Sequence, residues 1–285
     1  LTREAKEKLV KGCQIPEILV FVPTFNSEKY LRQCLDSVLD QTFKDWQCVI
    51  SDDASTDSSV EIAREYERRD PRFKVLTHSQ NVGAANNWNR AKENNTSFAT
   101  KILCADDYLL PEALSIQIAI LKENNSPIVF SERLILLPNG KKLHPKLPIY
   151  SKSISFNDAF KYYIKLGRNI FGEPVAALFQ TEYFKSSEGF LPQFEYTLDT
   201  SGYMAISRKR EVTFDNNVVG VFRVSKGQWS QQLKSKQFSH IFEFIDHLVG
   251  VEGVRVSKSQ VLVGKIKVMG ANLVRVVVYK ILRDK

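Results

Sequence analysis

Between residues 18 and 124, short β-branched runs alternate with amphipathic segments, and that alternation restricts the fold more than any other feature of the chain. Ile18–Val22 (ILVFV) reads as a buried strand. Glu28–Leu39 follows it, with Leu31, Leu35, Val38 and Leu39 recurring at helical spacing. Trp46–Ile50 is a second strand, and Ser58–Arg69 a charged helix stopped by Asp70-Pro71. Phe73–Thr77 is a third strand, Ala84–Asn94 a helix, and Phe98–Leu103 a fourth strand. Pro111–Asn124 is another helix, with its proline suited to the first turn. Such repetition predicts an α/β domain, a parallel sheet covered by helices on both faces.

After about residue 127 the order changes. Ile128–Phe130, Arg133–Leu137, Val175–Phe179 and Val218–Val224 read as strands, mixed with helices near Phe156–Leu166 and Asp199–Ser207. Pro138-Asn139-Gly140 is a turn, and Lys141–Tyr150, with two prolines, a loop. No Gly/Ser linker or internal repeat divides the chain, so one fused globule is expected.

Charge locates a third region. The chain carries 40 basic and 32 acidic residues, a formal +8 over 285 residues. From Gly253 to Lys285 eight basic residues face the single acid Asp284, a net of +7, which leaves +1 for the other 252 residues. A nearly neutral body without aromatics interleaved in a basic groove argues against nucleic acid as a partner. In the tail, Val263, Ile266, Gly270, Leu273, Val274, Val277 and Ile281 form a narrow apolar stripe at helical spacing, with Lys265, Arg275, Lys280 and Arg283 mostly off it. A basic amphipathic helix suits an anionic membrane surface. The competing reading packs the stripe against the body or against a second copy in a homo-oligomer.

Four cysteines (Cys13, Cys34, Cys48, Cys104) without CxxC or Cys/His spacing point to reduced thiols rather than zinc or disulfides. No apolar run reaches the ~18 residues of a membrane span, and the charged first eleven residues lack a signal-peptide core. The expected location is cytoplasmic, peripheral on the inner face of the cell membrane.

In α/β sheets, ligands sit beyond the carboxyl ends of the strands. Those ends hold Pro23-Thr24-Phe25-Asn26, Asp52-Asp53 and Cys104-Ala105-Asp106-Asp107. Paired carboxylates repel one another and need donors or cations to offset the cost. One pair could cap a helix; two pairs on one rim are harder to explain that way. The chain has neither GxGxxG nor GxxxxGK[ST], which argues against dinucleotide oxidoreductases and P-loop NTPases. A phosphate-bearing ligand would then be bridged by a hard cation such as Mg²⁺ or Mn²⁺.

The stretches VPTFNSEKYLRQCLDSVLDQTFKDWQCVISDDASTD, NVGAANNWNRA and KILCADDYLLPEAL, in that order, resemble the family 2 glycosyltransferases of GT-A fold. The resemblance is strong from about Ile18 to Leu114. It continues more weakly through FGEPVAALF, FEYTLDTSGYMAI and VFRVSKGQWS to about Leu233. It implies a Rossmann-like mixed sheet flanked by helices over residues 1–233. The nucleotide-sugar-binding half would be at about 16–110 and an acceptor half at 111–233, with a basic helical extension at 234–285. It implies an inverting transfer from a nucleotide-sugar donor to a glycan or lipid-linked acceptor, in bacterial surface polysaccharide assembly. Carried over by position, Pro23, Thr24, Phe25, Asn26 and Glu28 would surround base and ribose, and Asp53 would hydrogen-bond the pyrimidine. Asn81 and Gly83 would shape the loop beside the nucleotide, ahead of a helix carrying Asn87, Trp88 and Arg90. Asp106 would face donor sugar or ribose, Asp107 would ligate the divalent cation, and Asp199 would be the general base.

Three positions depart from the family pattern: Cys104 stands where a first acid is frequent, Leu198 where a glutamate precedes the base, and Ser225 where a histidine follows the FRV strand. For single residues the plainer readings are a helix cap for Asp199, with Glu195 as the other local base, a loop brace for Asp52, and a core aromatic for Trp88. At the level of function the alternatives are a non-catalytic carbohydrate or membrane adaptor on the same fold, and a nucleotidyltransferase. The latter would need a glycine-rich basic loop where PTFNSEKY stands.

Overall fold

A computed structural model describes residues 15–147, 149, 153–225 and 237–283, with side chains through residue 270. Trp229 and the loop positions 148 and 150 lie outside the described residues, as do the side chains of the tail stripe beyond Gly270. The strands are β1 (Ile18–Thr24), β2 (Trp46–Asp52), β3 (Phe73–Thr77), β4 (Ala99–Ile102), β5 (Tyr108–Leu109), β6 (Ile128–Leu136), β7 (Lys142–Leu143), β8 (Ser153–Ile154), β9 (Ala177–Gln180) and β10 (Val212–Arg223). The helices are α1 (Glu28–Leu39), α2 (Ser59–Arg69), α3 (Ala84–Asn89), α4 (Ala113–Glu123), α5 (Phe156–Leu166), α6 (Thr181–Ser186), α7 (Leu198–Ser207), α8 (Gln237–Gly250) and α9 (Lys258–Arg283).

One mixed sheet runs in the order β3-β2-β1-β4-β9-β6-β10-β5. β3, β2, β1 and β4 are parallel, as the strand-helix alternation predicts. β9 is antiparallel to both β4 and β6 and so joins this parallel half to the parallel pair β6/β10. Period-2 alternation along β1 feeds two cores. Ile18, Val20 and Val22 pack with Leu31, Leu35, Ile62 and Leu114 beneath α1, α2 and α4. Leu19 and Phe21 join Trp88, Phe130, Phe171, Tyr203 and Phe244 on the other face, with α3, α5, α7 and α8. Trp88 is thus a core aromatic, edge-on to Phe190 at 5.1 Å.

Three elements differ from expectation. Ile128–Phe130 and Arg133–Leu137 belong to one strand, β6, because the polar residues between them are satisfied in place. Ser131 Oγ accepts from Gln117 Nε2 (3.1 Å), and buried Glu132 pairs with His144 Nε2 (2.6 Å). The helix expected over Ala84–Asn94 ends at Asn89 and tightens into a 3₁₀ turn at Arg90–Lys92, and Asn94 turns left-handed at φ 51°. Val218–Val224 is the second part of β10, which starts at Val212 and shifts register between Phe214 and Gly220.

The C-terminal helices dock by packing. Ile241, Phe244, Ile245 and Leu248 of α8 are buried in the second core. α9 crosses α5 at glycines: a Cβ on Gly264 would lie 2.1 Å from the Ile164 carbonyl oxygen, and one on Gly167 (φ 63°) 2.7 Å from that of Gly264. Val261, Gly264 and Val268 therefore form the docked face of α9, and Val268 is buried. The described part of the tail stripe faces the other way: Val263 is 45% and Ile266 57% exposed, beside exposed Leu262 and Met269. Among the described residues no helix is long and apolar enough to cross a membrane.

Candidate functional site

The loops after β1 and β2 are stitched together. Asn26, left-handed at φ 48°, accepts the Thr56 N–H on Oδ1 (2.8 Å) and donates its own N–H to Ser55 Oγ (2.9 Å). Glu28 accepts the Ser58 N–H (3.0 Å) and donates its N–H to Asp57 (3.0 Å), so its carboxylate braces the start of α2. Pro23 and buried Thr24 end β1 opposite Ser51 and Asp52, and Phe25 projects with 50% exposure.

The Asp52-Asp53 pair solves its repulsion with backbone donors. Asp52 accepts the Ser55 N–H on one oxygen (2.9 Å), while its buried Oδ1 has no partner. Asp53 accepts the Val82 and Gly83 N–H groups, one on each oxygen (2.9 and 3.0 Å). Gly83 sits at φ 84°, and Asn81 Oδ1 shares its N–H (3.0 Å), so Asp53, Asn81 and Gly83 form one loop unit. Asn87 lies beneath it, accepting from Ser51 Oγ (2.6 Å) and donating to the Ser51 carbonyl (3.0 Å). Each Asp53 oxygen keeps a lone pair for a ligand.

At the end of β4, ligand atoms of Cys104, Asp106 and Asp107 lie within 4.8 Å of one another. Asp107 accepts the backbone N–H of Arg223 on Oδ1 (2.9 Å), and its Oδ2 is buried without a partner. Arg223 also donates Nε to the Asp106 carbonyl (2.9 Å) and stacks over Tyr30 at 4.4 Å. Burial, followed by the charge of Asp106, pushes Asp107 well above the usual carboxylate range, and burial raises Asp106 to about 6. Two clustered carboxylates with an orphaned buried oxygen are the donor set of a hard cation. Burial and the two aspartates push the Cys104 thiol up, so it stays protonated and adds little to such a site. Behind the cluster, fully buried Lys101 donates to Gln117 Oε1 (2.7 Å) and the Val175 carbonyl (2.6 Å), and burial lowers it to about 7.

Asp199 lies in the first turn of α7. Its Oδ1 accepts the Thr200 N–H (2.7 Å) and its Oδ2 accepts Asn169 Nδ2 (3.1 Å). Burial raises it to about 7, with the charge of Glu173 adding to the shift. Its own charge in turn raises Cys104 and Tyr203. Glu195 is exposed in the preceding 3₁₀ turn and touches none of these groups. Arg133, Asn169, Glu173 and Arg223 are site residues that sequence spacing does not single out. Asn169 lies two residues before the quoted FGEP stretch, Glu173 is its glutamate, and Arg223 lies in the FRV strand.

The family model for "Glycosyl transferase family 2" matches residues 19–186. The Bacillus subtilis glycosyltransferase TuaG, named for teichuronic acid biosynthesis, is 30% identical over 146 residues, 51% of this chain and 58% of its own length. The chondroitin synthase of Pasteurella multocida is 29% identical over 128 residues, 45% of this chain and 13% of that one. The chain thus spans little more than half of the first relative and a small part of the second. Among solved structures, S. aureus TarS (residues 1–349) with UDP-GlcNAc superposes with a TM-score of 0.65 at 18% identity, covering 85% of this chain and 68% of that one. The mannosyltransferase PcManGT of Pyrobaculum calidifontis with GDP-Man and Mn²⁺ gives 0.62 at 17% identity, covering 94% and 76%. The family match covers more than half of the chain, the carboxylate rim falls at its strand ends, and the sheet agrees: the protein belongs to glycosyltransferase family 2 and has the GT-A fold.

Proposed function

We propose that the protein transfers a sugar from a nucleoside-diphosphate sugar to an acceptor hydroxyl with inversion, in the assembly of a cell-surface polysaccharide. The observation that carries this reading is the presence of two differently tuned carboxylate centres in a family 2 fold. The Asp106-Asp107 pair has an orphaned buried oxygen, and burial raises Asp199, whose charge is felt at Cys104, to about 7. The β1 and β2 loops and the Asp53-braced Asn81–Gly83 loop hold the nucleotide. Asp107, with Asp106, would hold Mg²⁺ or Mn²⁺; when bound, the cation neutralises the leaving diphosphate. Asp199 removes the proton from the acceptor hydroxyl as its oxygen bonds to the anomeric carbon, and the bond to the diphosphate breaks on the opposite face. A carboxylate with a pKa near working pH suits that task, since it is ionised enough to accept and basic enough to pull. Asn169 and Thr200 fix its orientation.

The outward face of α9 supports a place at an anionic membrane surface, in keeping with assembly on the cytoplasmic face. That outward face presents Leu262, Val263, Ile266 and Met269, while Lys258 and Lys267 are exposed on the same helix. An apolar face with cations about it suits anionic lipid. The decisive test measures binding and turnover with UDP-, dTDP- and GDP-sugars and either cation. Asp107→Ala should lose cation-dependent donor binding. Asp199→Asn should keep donor binding and lose about 10²–10⁴ in turnover. Donor affinity in Asp107→Ala equal to that of the wild type, with and without cation, overturns the reading.

A further inference from the structure

A cleft of about 210 Å³ lies one side chain away from Asp199, across Asn169, and is distinct from a larger cavity of about 620 Å³ between α6, α7 and α8. Asn169 lines the smaller cleft with one face and holds Asp199 with its amide. The cleft is below the roughly 300–1,000 Å³ of sites that engulf whole ligands, so it fits one sugar unit and its substituent. Its charged walls are Arg133, Lys146, Arg168 and Glu173.

The balance of those charges is unequal. Glu173 is committed to Arg133, whose Nε donates to it at 2.5 Å, and Arg133 Nη1 donates to the Pro145 carbonyl (3.2 Å). Arg133 is held there because position 172 is glycine: a Cβ on Gly172 (φ 83°) would sit 3.3 Å from its Nε. Lys146 and Arg168 are exposed and have no ion pair or hydrogen bond among the described residues. The cleft therefore presents two uncompensated cations above an apolar floor that includes Ile135, Leu147 and Ile170.

We propose that this cleft is an acceptor subsite selective for anionic glycans. Lys146 and Arg168 bind a carboxylate or phosphate on the sugar whose hydroxyl Asp199 activates, and the apolar floor takes the ring. This rests on the transferase reading above. An arginine beside a lysine recognises either anion by charge-assisted hydrogen bonds. The two sources share that chemistry and differ in the sugar that carries it.

The test titrates the full chain, with Mg²⁺ and whichever of UDP, dTDP and GDP it binds best, against three probes built on one ring: methyl glucuronide, glucose 6-phosphate and neutral methyl glucoside. At least one anionic probe should bind about 10-fold or more tightly than the neutral glycoside, a preference of ~1.4 kcal/mol. Preference for the first identifies a carboxylated acceptor, and for the second a phosphorylated one. The charge reversals Lys146→Glu and Arg168→Glu, both at exposed positions, should remove the preference while affinity for that nucleotide stays within about 2-fold. Equal binding of all three probes, binding of none, or a preference that survives both reversals overturns the inference. Failure of the wild type to bind any of UDP, dTDP and GDP overturns instead the transferase reading on which it rests.

Discussion

Asp199→Asn has a consequence for stability that is independent of turnover. The carboxyl is raised from the ordinary 3.8 to about 7 in the folded chain, chiefly by burial. Between those values the native state binds a proton that the unfolded chain has released. Stability from this group is therefore fully present below about pH 4 and lost as pH rises through 7. A span of about three units at ~1.4 kcal/mol each sets an upper bound of roughly 4 kcal/mol. Roughly two of those units are crossed above pH 5, and partial solvent access to the carboxylate trims the effect to about 2 kcal/mol. Asparagine does not titrate. It also cannot accept from both Thr200 and Asn169, which costs about 1–3 kcal/mol at every pH. The constant cost cancels when two pH values are compared. So does the titration of Asp106 near 6, which both proteins share. Glu173 stays paired with Arg133, and Tyr203 and Cys104 are both raised out of the range. Urea unfolding at pH 5 and pH 8 should thus show the variant gaining about 2 kcal/mol on the wild type as pH rises. A stability difference that stays within about 0.5 kcal/mol across the two pH values refutes the reasoning. Wild-type turnover should climb over the same interval in which its stability falls, since the base must lose its proton to act.

Three more outcomes follow from the packing. Asp53→Asn keeps one acceptor where two backbone N–H groups need it, so ligand-free Tm should fall by several degrees, the effect of about 1–2 kcal/mol; a residue that only touched nucleotide would leave it unchanged. Gly264→Ala sets a methyl 2.1 Å from the Ile164 carbonyl and should cost about 1–3 kcal/mol by forcing α9 off α5, read by thermal unfolding. Ile266→Glu, on the 57% exposed face of the same helix, should leave Tm within a degree or two and abolish cosedimentation with phosphatidylglycerol vesicles; retained binding would remove α9 from the membrane reading.

The parallel half of the fold was legible because its strands are mostly apolar, despite Gln47, Lys74 and Lys101, and α1, α2 and α4 carry apolar stripes, both properties of neighbouring residues. The rim followed from it, since Asp52-Asp53 and Asp106-Asp107 stand immediately after such strands. What escaped sequence reading is held by contacts between distant residues. Arg223 reaches Asp107 across 116 positions, and Asn169 reaches Asp199 across 30. Glu132 looked like a break in a strand because its partner, His144, lies beyond a turn. The tail stripe was legible as a pattern, but which face of α9 docks was decided by Gly264, a residue that adds nothing to hydropathy. Deleting Gly253–Lys285 would therefore remove buried Val268 along with the outward stripe, and a point change on the exposed face is the cleaner experiment.

The sheet is also a partition. Along β1, neighbouring side chains belong to different apolar cores, one roofed by α1, α2 and α4, the other by α3, α5, α7 and α8. A substitution that reshapes one core meets the backbone ladder of the sheet before it meets the other. Each core nonetheless draws on both halves of the chain, Val129 and Val219 lying in the first and Leu19 and Trp88 in the second.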